Sequence, residues 1–114
     1  ITDHMADKDH FTNNEKEGIL YGPDLNYDYE GHLAGSHLTL ENACRNLMAH
    51  SGYGLCHAIR MATLNPARLL GIEDQVGSLE PGKKANLIII DDMIHVDSVF
   101  LEGQLVAKNG RLLV

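Results

Sequence analysis

The first side chain that could do chemistry is Asp3, which follows Ile1-Thr2 and precedes a polar stretch. In barrels and open α/β sheets, catalytic carboxylates stand at the carboxyl end of a strand, where the next loop begins. The position therefore allows a catalytic carboxylate. An aspartate that only caps the following turn is the simpler interpretation of this residue taken alone.

Carboxylates and imidazoles are dense from Asp3 to His10, and both can bind metal ions. Their spacing matches neither an EF-hand loop, with alternating acidic ligands, a glycine and a terminal glutamate, nor a helical His-Glu-x-x-His motif. We therefore expect a solvated acidic loop here. The remaining isolated imidazoles are expected to be ordinary solvated or hydrogen-bonded side chains: His37, His50, His57 and His95.

A third candidate is Gly31–Ser36, which holds two glycines and small residues just before a predicted helix. Backbone N–H groups in such a segment can approach a ligand closely. An ordinary junction between a loop and a helix is the alternative interpretation, and the segment by itself does not decide between the two.

The first zone of the chain, Ile1 to about His32, is polar and loop-like except for one predicted hairpin. Its strands are Gly18–Tyr21 and Leu25–Tyr29, joined by a tight Gly-Pro-Asp turn. Because side chains alternate along a strand, one apolar face is expected to carry Leu25, Tyr27 and Tyr29.

The middle zone is predicted to be helical. Thr39 is a suitable N-cap for a helix that Gly52 ends. A second helix begins at Leu55 and is expected to end near Asn65, because Pro66 disfavours helical backbone in the residue before it. A short third helix follows from Pro66 to Leu70.

The last zone is predicted to form short strands. Asn109-Gly110 is a strong hairpin signal. Leu87–Ile90 is apolar without alternation, which predicts a strand covered on both faces. The predicted strands are Val76–Leu79, Ala85–Asp91, Ser98–Leu101, Gln104–Lys108 and Arg111–Val114.

Composition narrows the class of protein. The 114 residues include 9 Lys and Arg against 16 Asp and Glu, so the formal net charge is −7, and 44% of residues are hydrophobic. The lysines and arginines are scattered, which argues against nucleic-acid binding, and the chain has no run of about 18 apolar residues that would predict a membrane span.

Two cysteines in predicted helices indicate reduced thiols and a cytoplasmic location. A start at Ile1 with no methionine or signal peptide suggests numbering that begins inside a longer protein.

Taken together, several segments resemble, in order, the carboxyl-terminal part of N-acetylglucosamine-6-phosphate deacetylases of the amidohydrolase superfamily. The Gly77–Leu87 pattern is shared across the superfamily, whereas Leu33–Ser36 with the two helices after it narrows the resemblance to the deacetylases. The matching segments are Thr2-Asp3, Leu33–Ser36, Leu38–Glu41, Arg45–Leu47, Arg60–Ala67 and Gly77–Leu87.

The resemblance implies an α/β fold: the carboxyl-terminal part of a TIM-like metal-dependent hydrolase barrel, followed by the last strands of a small β-sandwich. Residues 1–71 would form the end of the barrel, with Asp3 at the end of its last strand and the helices in its outer layer. Residues 72–114 would belong to the sandwich. About two-thirds of such an enzyme would precede Ile1, judged against the usual size of the barrel.

The resemblance also implies an activity, hydrolysis of the acetamide of N-acetylglucosamine 6-phosphate to glucosamine 6-phosphate and acetate. A divalent metal ion such as Zn or Fe would polarise the carbonyl and activate a water. Asp3 would take the proton of that water and deliver it to the leaving amine. Leu33, Ala34 and Gly35 match the segment that contacts the sugar phosphate.

The family's metal ligands, a Glu and two His, would lie before Ile1, so we expect no metal bound by this chain alone and no activity from it. His4 departs from the small residue usual after the catalytic aspartate. The alternatives left open are another amidohydrolase, acting on a cyclic amide or a nucleobase, and a non-catalytic metal-binding module.

For partners we expect a small-molecule amino-sugar phosphate, no nucleic acid and no membrane. We also expect a homo-oligomer, because apolar helix side chains that would pack on barrel strands would otherwise be exposed. These side chains are Leu47, Met48, Ile59 and Leu69.

Overall fold

The computed structural model describes residues 19–21, 25–28 and 30–114. Asp3, His4 and Tyr29, named above, lie outside these residues. The chain forms two compact units, Ile1–Ala43 and Cys44–Val114. The predicted division of the chain between residues 71 and 72 stays a prediction.

The first unit contains a three-stranded antiparallel sheet in the order β1-β2-β3, formed by Ile19–Tyr21, Leu25–Asp28 and Leu33–Ser36. The antiparallel pairing of β1 with β2 confirms the predicted strand pair. The predicted Gly22-Pro23-Asp24 turn and the acidic stretch Asp3–His10 lie outside the described residues. Leu33–Ser36 is a strand, not the loop expected from its small residues. Gly31, with φ of +86°, lets the chain turn back so that this segment pairs with β2.

The side chains of β2 alternate as predicted, and the buried face is the one that carries Asn26, not the one that carries Leu25 and Tyr27. Leu25 and Tyr27 are each 39% exposed, whereas Asn26 between them is fully buried. The predicted alternation is confirmed for Leu25 and Tyr27, and their face is the more exposed one, because apolar character in a short hairpin does not decide which face the rest of the fold covers.

Three helices follow: α1, Leu40–Ser51; α2, Leu55–Ala62; and α3, Leu64–Leu70. Thr39 caps α1, since its Oγ1 accepts a hydrogen bond from the Asn42 backbone N–H at 3.4 Å. The break between α2 and α3 falls at Thr63, two residues before the predicted end at Asn65. Pro66 lies in the first turn of α3, where a missing N–H costs no helical hydrogen bond. Gly71, with φ of +69°, ends α3 as expected.

A four-stranded antiparallel meander completes the second unit, formed by β4, Leu87–Ile90; β5, Val96–Leu101; β6, Gln104–Lys108; and β7, Arg111–Leu112. Both residues of Asn109-Gly110 have positive φ, at 49° and 74°, as a two-residue type I′ hairpin requires.

Two strand predictions for this region were wrong. Val76–Leu79 is not a strand, because the chain bends there at Gly77, with φ of +98°, and passes close to α3. A Cβ at Gly77 would lie 2.8 Å from that of Ala67. β4 is not covered on both faces within the described residues, since Ile88 and Ile89 are each about half exposed.

The core of the second unit is small. Its buried members are Cys44, Ala58 and Ile94, which are 7%, 1% and 2% exposed. Cys44 and Cys56 are both free thiols, as predicted. Leu69, at 88% exposed, is left out of the core altogether. Partly buried apolar side chains pack around the core: Leu47, Met48, Leu55, Ile59, Ala62 and Ile90.

No helix in the described part of the chain is long and apolar enough to cross a membrane.

Candidate functional site

The predicted substrate residues Leu33, Ala34 and Gly35 lie together on β3, beside an irregularity in the sheet. Leu25 pairs with Ser36 and Tyr27 pairs with Leu33, so that Asn26 alone stands opposite Ala34 and Gly35. Two residues opposite one constitute a β-bulge, which interrupts the regular ladder and re-aims the backbone. Bulges are over-represented next to active sites for this reason.

The three residues differ in accessibility. Leu33 is 63% exposed, Ala34 is half-buried and Gly35 is buried. Gly35 has φ of +114°, a backbone conformation that a residue with a Cβ rarely adopts. The segment can therefore offer one apolar side chain and a backbone bent by the bulge, which suits recognition of a ligand by main-chain groups.

Asn26 and His37 form a polar pair at this bulge that the sequence did not reveal. Asn26 is 0% exposed, and its Oδ1 lies 2.9 Å from Nε2 of the half-buried His37. The only available signal was the position of Asn26 between Leu25 and Tyr27, on the opposite face of the strand. For His37 the sequence predicts only an ordinary solvated or hydrogen-bonded imidazole.

Asp28, Glu30 and His32 bring three possible metal-ligand atoms within 4.8 Å of one another, at the turn between β2 and β3. Their hydrogen bonds explain the cluster without a metal ion. Asp28 Oδ1 accepts from the backbone N–H groups of Glu30 and His32 at 2.9 and 2.8 Å. Asp28 Oδ2 lies 3.0 Å from His32 Nδ1. The backbone N–H of His32 is the main reason that the pKa of Asp28 is held below its ordinary value.

The turn between β4 and β5 repeats this arrangement without a third ligand. Asp91 Oδ1 accepts from the backbone N–H groups of Met93 and His95 at 2.9 and 2.8 Å, and Oδ2 lies 2.7 Å from His95 Nδ1. The cluster at Asp28 is therefore a set of hydrogen bonds that stabilises a turn. Glu30 and His32 there are 82% and 71% exposed, so the described residues do not fit a buried catalytic divalent ion.

A second polar network lies in the Gly77–Leu87 motif. Lys83 Nζ donates to Ser78 Oγ at 2.6 Å and lies 2.8 Å from Glu80 Oε2, while Ser78 Oγ donates to the same carboxylate at 2.6 Å. The hydrogen bond from Lys83 is the main cause of the lowered pKa of Glu80. These contacts tie Ser78, Glu80 and Lys83 to one another, so this network holds the loop in shape.

Comparisons with known proteins identify the family of this chain. The model of the Amidohydrolase family matches residues 11–110. Over 75 residues the chain is 44% identical to a protein of Escherichia coli (strain K12) named "Putative N-acetylgalactosamine-6-phosphate deacetylase", covering 66% of this chain and 45% of that protein. Over 77 residues it is 38% identical to "Adenine deaminase 4" of Rhizobium meliloti (strain 1021), covering 66% of this chain and 13% of that protein.

The chain also superposes on the crystal structure of N-acetylglucosamine-6-phosphate deacetylase from Pasteurella multocida. The TM-score is 0.74 at 27% identity, over 80% of this chain and 24% of that structure. The chain thus spans less than half the length of the relatives that it matches. Since the family model covers most of its residues, the chain belongs to the amidohydrolase family.

Proposed function

We propose that this chain is the carboxyl-terminal part of a deacetylase that hydrolyses the acetamide of N-acetylglucosamine 6-phosphate to glucosamine 6-phosphate and acetate. The observation that carries the proposal is the likeness to the Pasteurella multocida deacetylase over 80% of the chain. The bulged β3 strand, with its exposed Leu33 and buried Gly35, supports a role in binding a small polar ligand through the backbone.

In this proposal Asp3 acts first as the general base and then as the general acid. A water oxygen attacks the amide carbonyl carbon while Asp3 takes a proton from it. The C–N bond then breaks as Asp3 returns that proton to the departing amine. Ala34 and Gly35 hold the sugar through the backbone, and Leu33 packs against its apolar edge. The one cluster of possible ligands among the described residues, at Asp28, Glu30 and His32, does not fit a catalytic divalent ion.

The same proposal covers the organisation of the whole protein. Residues 1–71 contribute the end of the barrel and residues 72–114 the last strands of the sandwich. The protein is a cytoplasmic homo-oligomer. The exposed Leu69 and the half-exposed Ile88 and Ile89 support burial against further apolar surface, and light scattering of the purified protein tests the oligomeric state.

One specific alternative is deamination of a nucleobase, which the likeness to an adenine deaminase favours. Both reactions attack a carbon bonded to nitrogen with water, so a carboxylate at Asp3 suits either. The higher identity to the Escherichia coli protein favours the deacetylase.

A substrate panel on the full-length protein tests the proposal. We expect release of acetate from N-acetylglucosamine 6-phosphate, with its galacto epimer as the comparison substrate and adenine as the alternative. Asp3→Asn should lower kcat by about 10²- to 10⁴-fold, because the proton acceptor is lost. The 114-residue chain alone, with added Zn²⁺, Fe²⁺ or Co²⁺, should release none. Ammonia release from adenine without acetate release from either sugar would reject the proposal.

A further inference from the structure

The side-chain amide of Asn26 is the polar group that the fold leaves unexplained. Its Nδ2 is the one buried side-chain nitrogen or oxygen, among residues 19–21, 25–28 and 30–114, with no hydrogen-bond partner. Buried polar groups are nearly always paired, and an unpaired amide costs free energy that an apolar side chain of similar size would not. Such a donor therefore points to a partner that arrives from outside the fold.

The surroundings of Asn26 indicate which partner this is. Asn26 stands opposite Ala34 and Gly35 at the bulge, which places its backbone beside two of the three predicted substrate residues. Gly35 is buried with φ of +114°, so the backbone there is already bent out of the regular ladder. The unpaired donor and the strand expected to bind the sugar thus belong to one small region of the first unit.

His37 fixes the orientation of this amide. With Nε2–H of His37 as donor, Oδ1 of Asn26 accepts at 2.9 Å, and both N–H groups on Nδ2 remain for another acceptor. A held amide loses little conformational freedom when a ligand binds, which favours affinity. His37 is in this sense a positioning residue, because it acts through Asn26.

We propose that Asn26 donates a hydrogen bond from Nδ2 to an oxygen atom of the bound N-acetylated amino-sugar phosphate, with His37 orienting the amide. This inference rests on the proposed function. It adds a side-chain contact to a segment that the resemblance had described only through its backbone and one apolar side chain.

Asn26→Asp in the full-length protein tests the contact. The variant keeps the shape of the side chain and an acceptor for His37, but it removes the N–H donors. We expect KM for N-acetylglucosamine 6-phosphate to rise by about tenfold or more, with kcat changed by less than about threefold, because a binding contact is lost. The rise in Tm that saturating glucosamine 6-phosphate produces should shrink in parallel, which gives a readout independent of turnover.

Matched variants separate this role from a structural one. Asn86→Asp makes the same chemical change at an exposed asparagine of the second unit, whose Oδ1 accepts a hydrogen bond from the Glu102 backbone N–H, and it should leave KM unaltered. His37→Gln keeps an N–H donor and should stay close to wild type, whereas His37→Ala should raise KM by freeing the amide.

The outcomes distinguish the two proposals. If the wild-type protein turns over the sugar and Asn26→Asp has the same KM and the same ligand-induced rise in Tm, Asn26 binds only internal water and the inference is overturned. If the wild-type protein neither turns over nor is stabilised by the amino-sugar phosphates, the proposed function fails and this inference fails with it.

Discussion

The turn after β2 and the turn after β4 have the same hydrogen bonds, but only the second places a residue in a hydrophobic core. In each, an aspartate accepts from the backbone N–H groups two and four residues later and pairs with a histidine ring, Asp28 with His32 and Asp91 with His95. In each, the fourth residue of the turn has positive φ. That residue is Gly31 in one turn and Ile94 in the other.

The identity of this fourth residue changes what the turn does. Gly31 is exposed, and nothing lies within 4 Å of where its Cβ would be. Ile94 has φ of +59°, which is unfavourable for a β-branched residue, yet it is 2% exposed and belongs to the core of the second unit. The Ile94 carbonyl also accepts a hydrogen bond from Arg45 Nη1 at 2.7 Å. Packing and this hydrogen bond offset the backbone strain, so one turn only reverses the chain while the other anchors a core.

The largest effect that would test this comparison is expected from Ile94→Ala. The change keeps the left-handed backbone but deletes buried methyl groups, so the free energy of unfolding should fall by about 2–4 kcal/mol. Urea unfolding of the full-length protein, compared at equal m-value, measures the loss. A loss below about 1 kcal/mol would mean that Ile94 does not anchor the core, given that large core truncations cost more.

Glycine at the two left-handed positions gives a sharper and smaller test. Gly31→Ala should destabilise by about 1–2 kcal/mol through backbone strain alone, because open space surrounds the new methyl group. Ile94→Gly should be less destabilising than Ile94→Ala by about 1 kcal/mol, because glycine relieves the same strain. In an ordinary helix or strand the order of alanine and glycine is reversed, so finding that usual order at Ile94 would contradict strain there.

The smallest expected effect is on the loss of stability at acidic pH. The pKa values of Asp28 and Asp91 are held below the ordinary 3.8, chiefly by the backbone N–H groups of His32 and His95. A lowered folded-state pKa favours the carboxylate, so these groups stabilise the fold above pH 3.8 and lose that contribution as pH falls through their folded-state pKa values. Asp28→Asn and Asp91→Asn should each flatten the fall of Tm with pH below about 4, and the double variant most. Tm measured from pH 2 to 6 tests this, and unchanged slopes in all three variants would contradict it.

Local rules predicted much of the fold. Thr39 and Gly52 marked the ends of α1, Gly71 marked the end of α3 and Asn109-Gly110 marked a hairpin, because each acts through its own backbone or nearest neighbours. The positions that failed depend on distant contacts. Val76–Leu79 has strand-like residues, but Gly77 must bend to pass α3, and the sequence carries no local sign of that approach.

The candidate site was predicted only in part. Leu33, Ala34 and Gly35 were predicted as substrate-binding residues from a family resemblance. The bulge beside them depends on the register of β2 against β3. Asn26 was missed because its residue type suggests the solvent face of a strand, whereas it is fully buried beside His37. The proton-transfer role of Asp3 stays a prediction, since that residue lies outside the described part of the chain.

The family, the helix ends, the tight turns and the side chains that could bind a ligand or transfer a proton are all readable from the amino-acid sequence. These follow from residue type and short spacing, because caps, turn glycines and motif residues act over a few positions. Tertiary packing sets which face of β2 is buried and makes Ile94 a core residue despite its left-handed backbone. It also leaves the Asn26 amide donor unpaired opposite the bulge. Those outcomes depend on which surfaces the fold brings together, and burial is a property of the whole packed unit, not of any one segment.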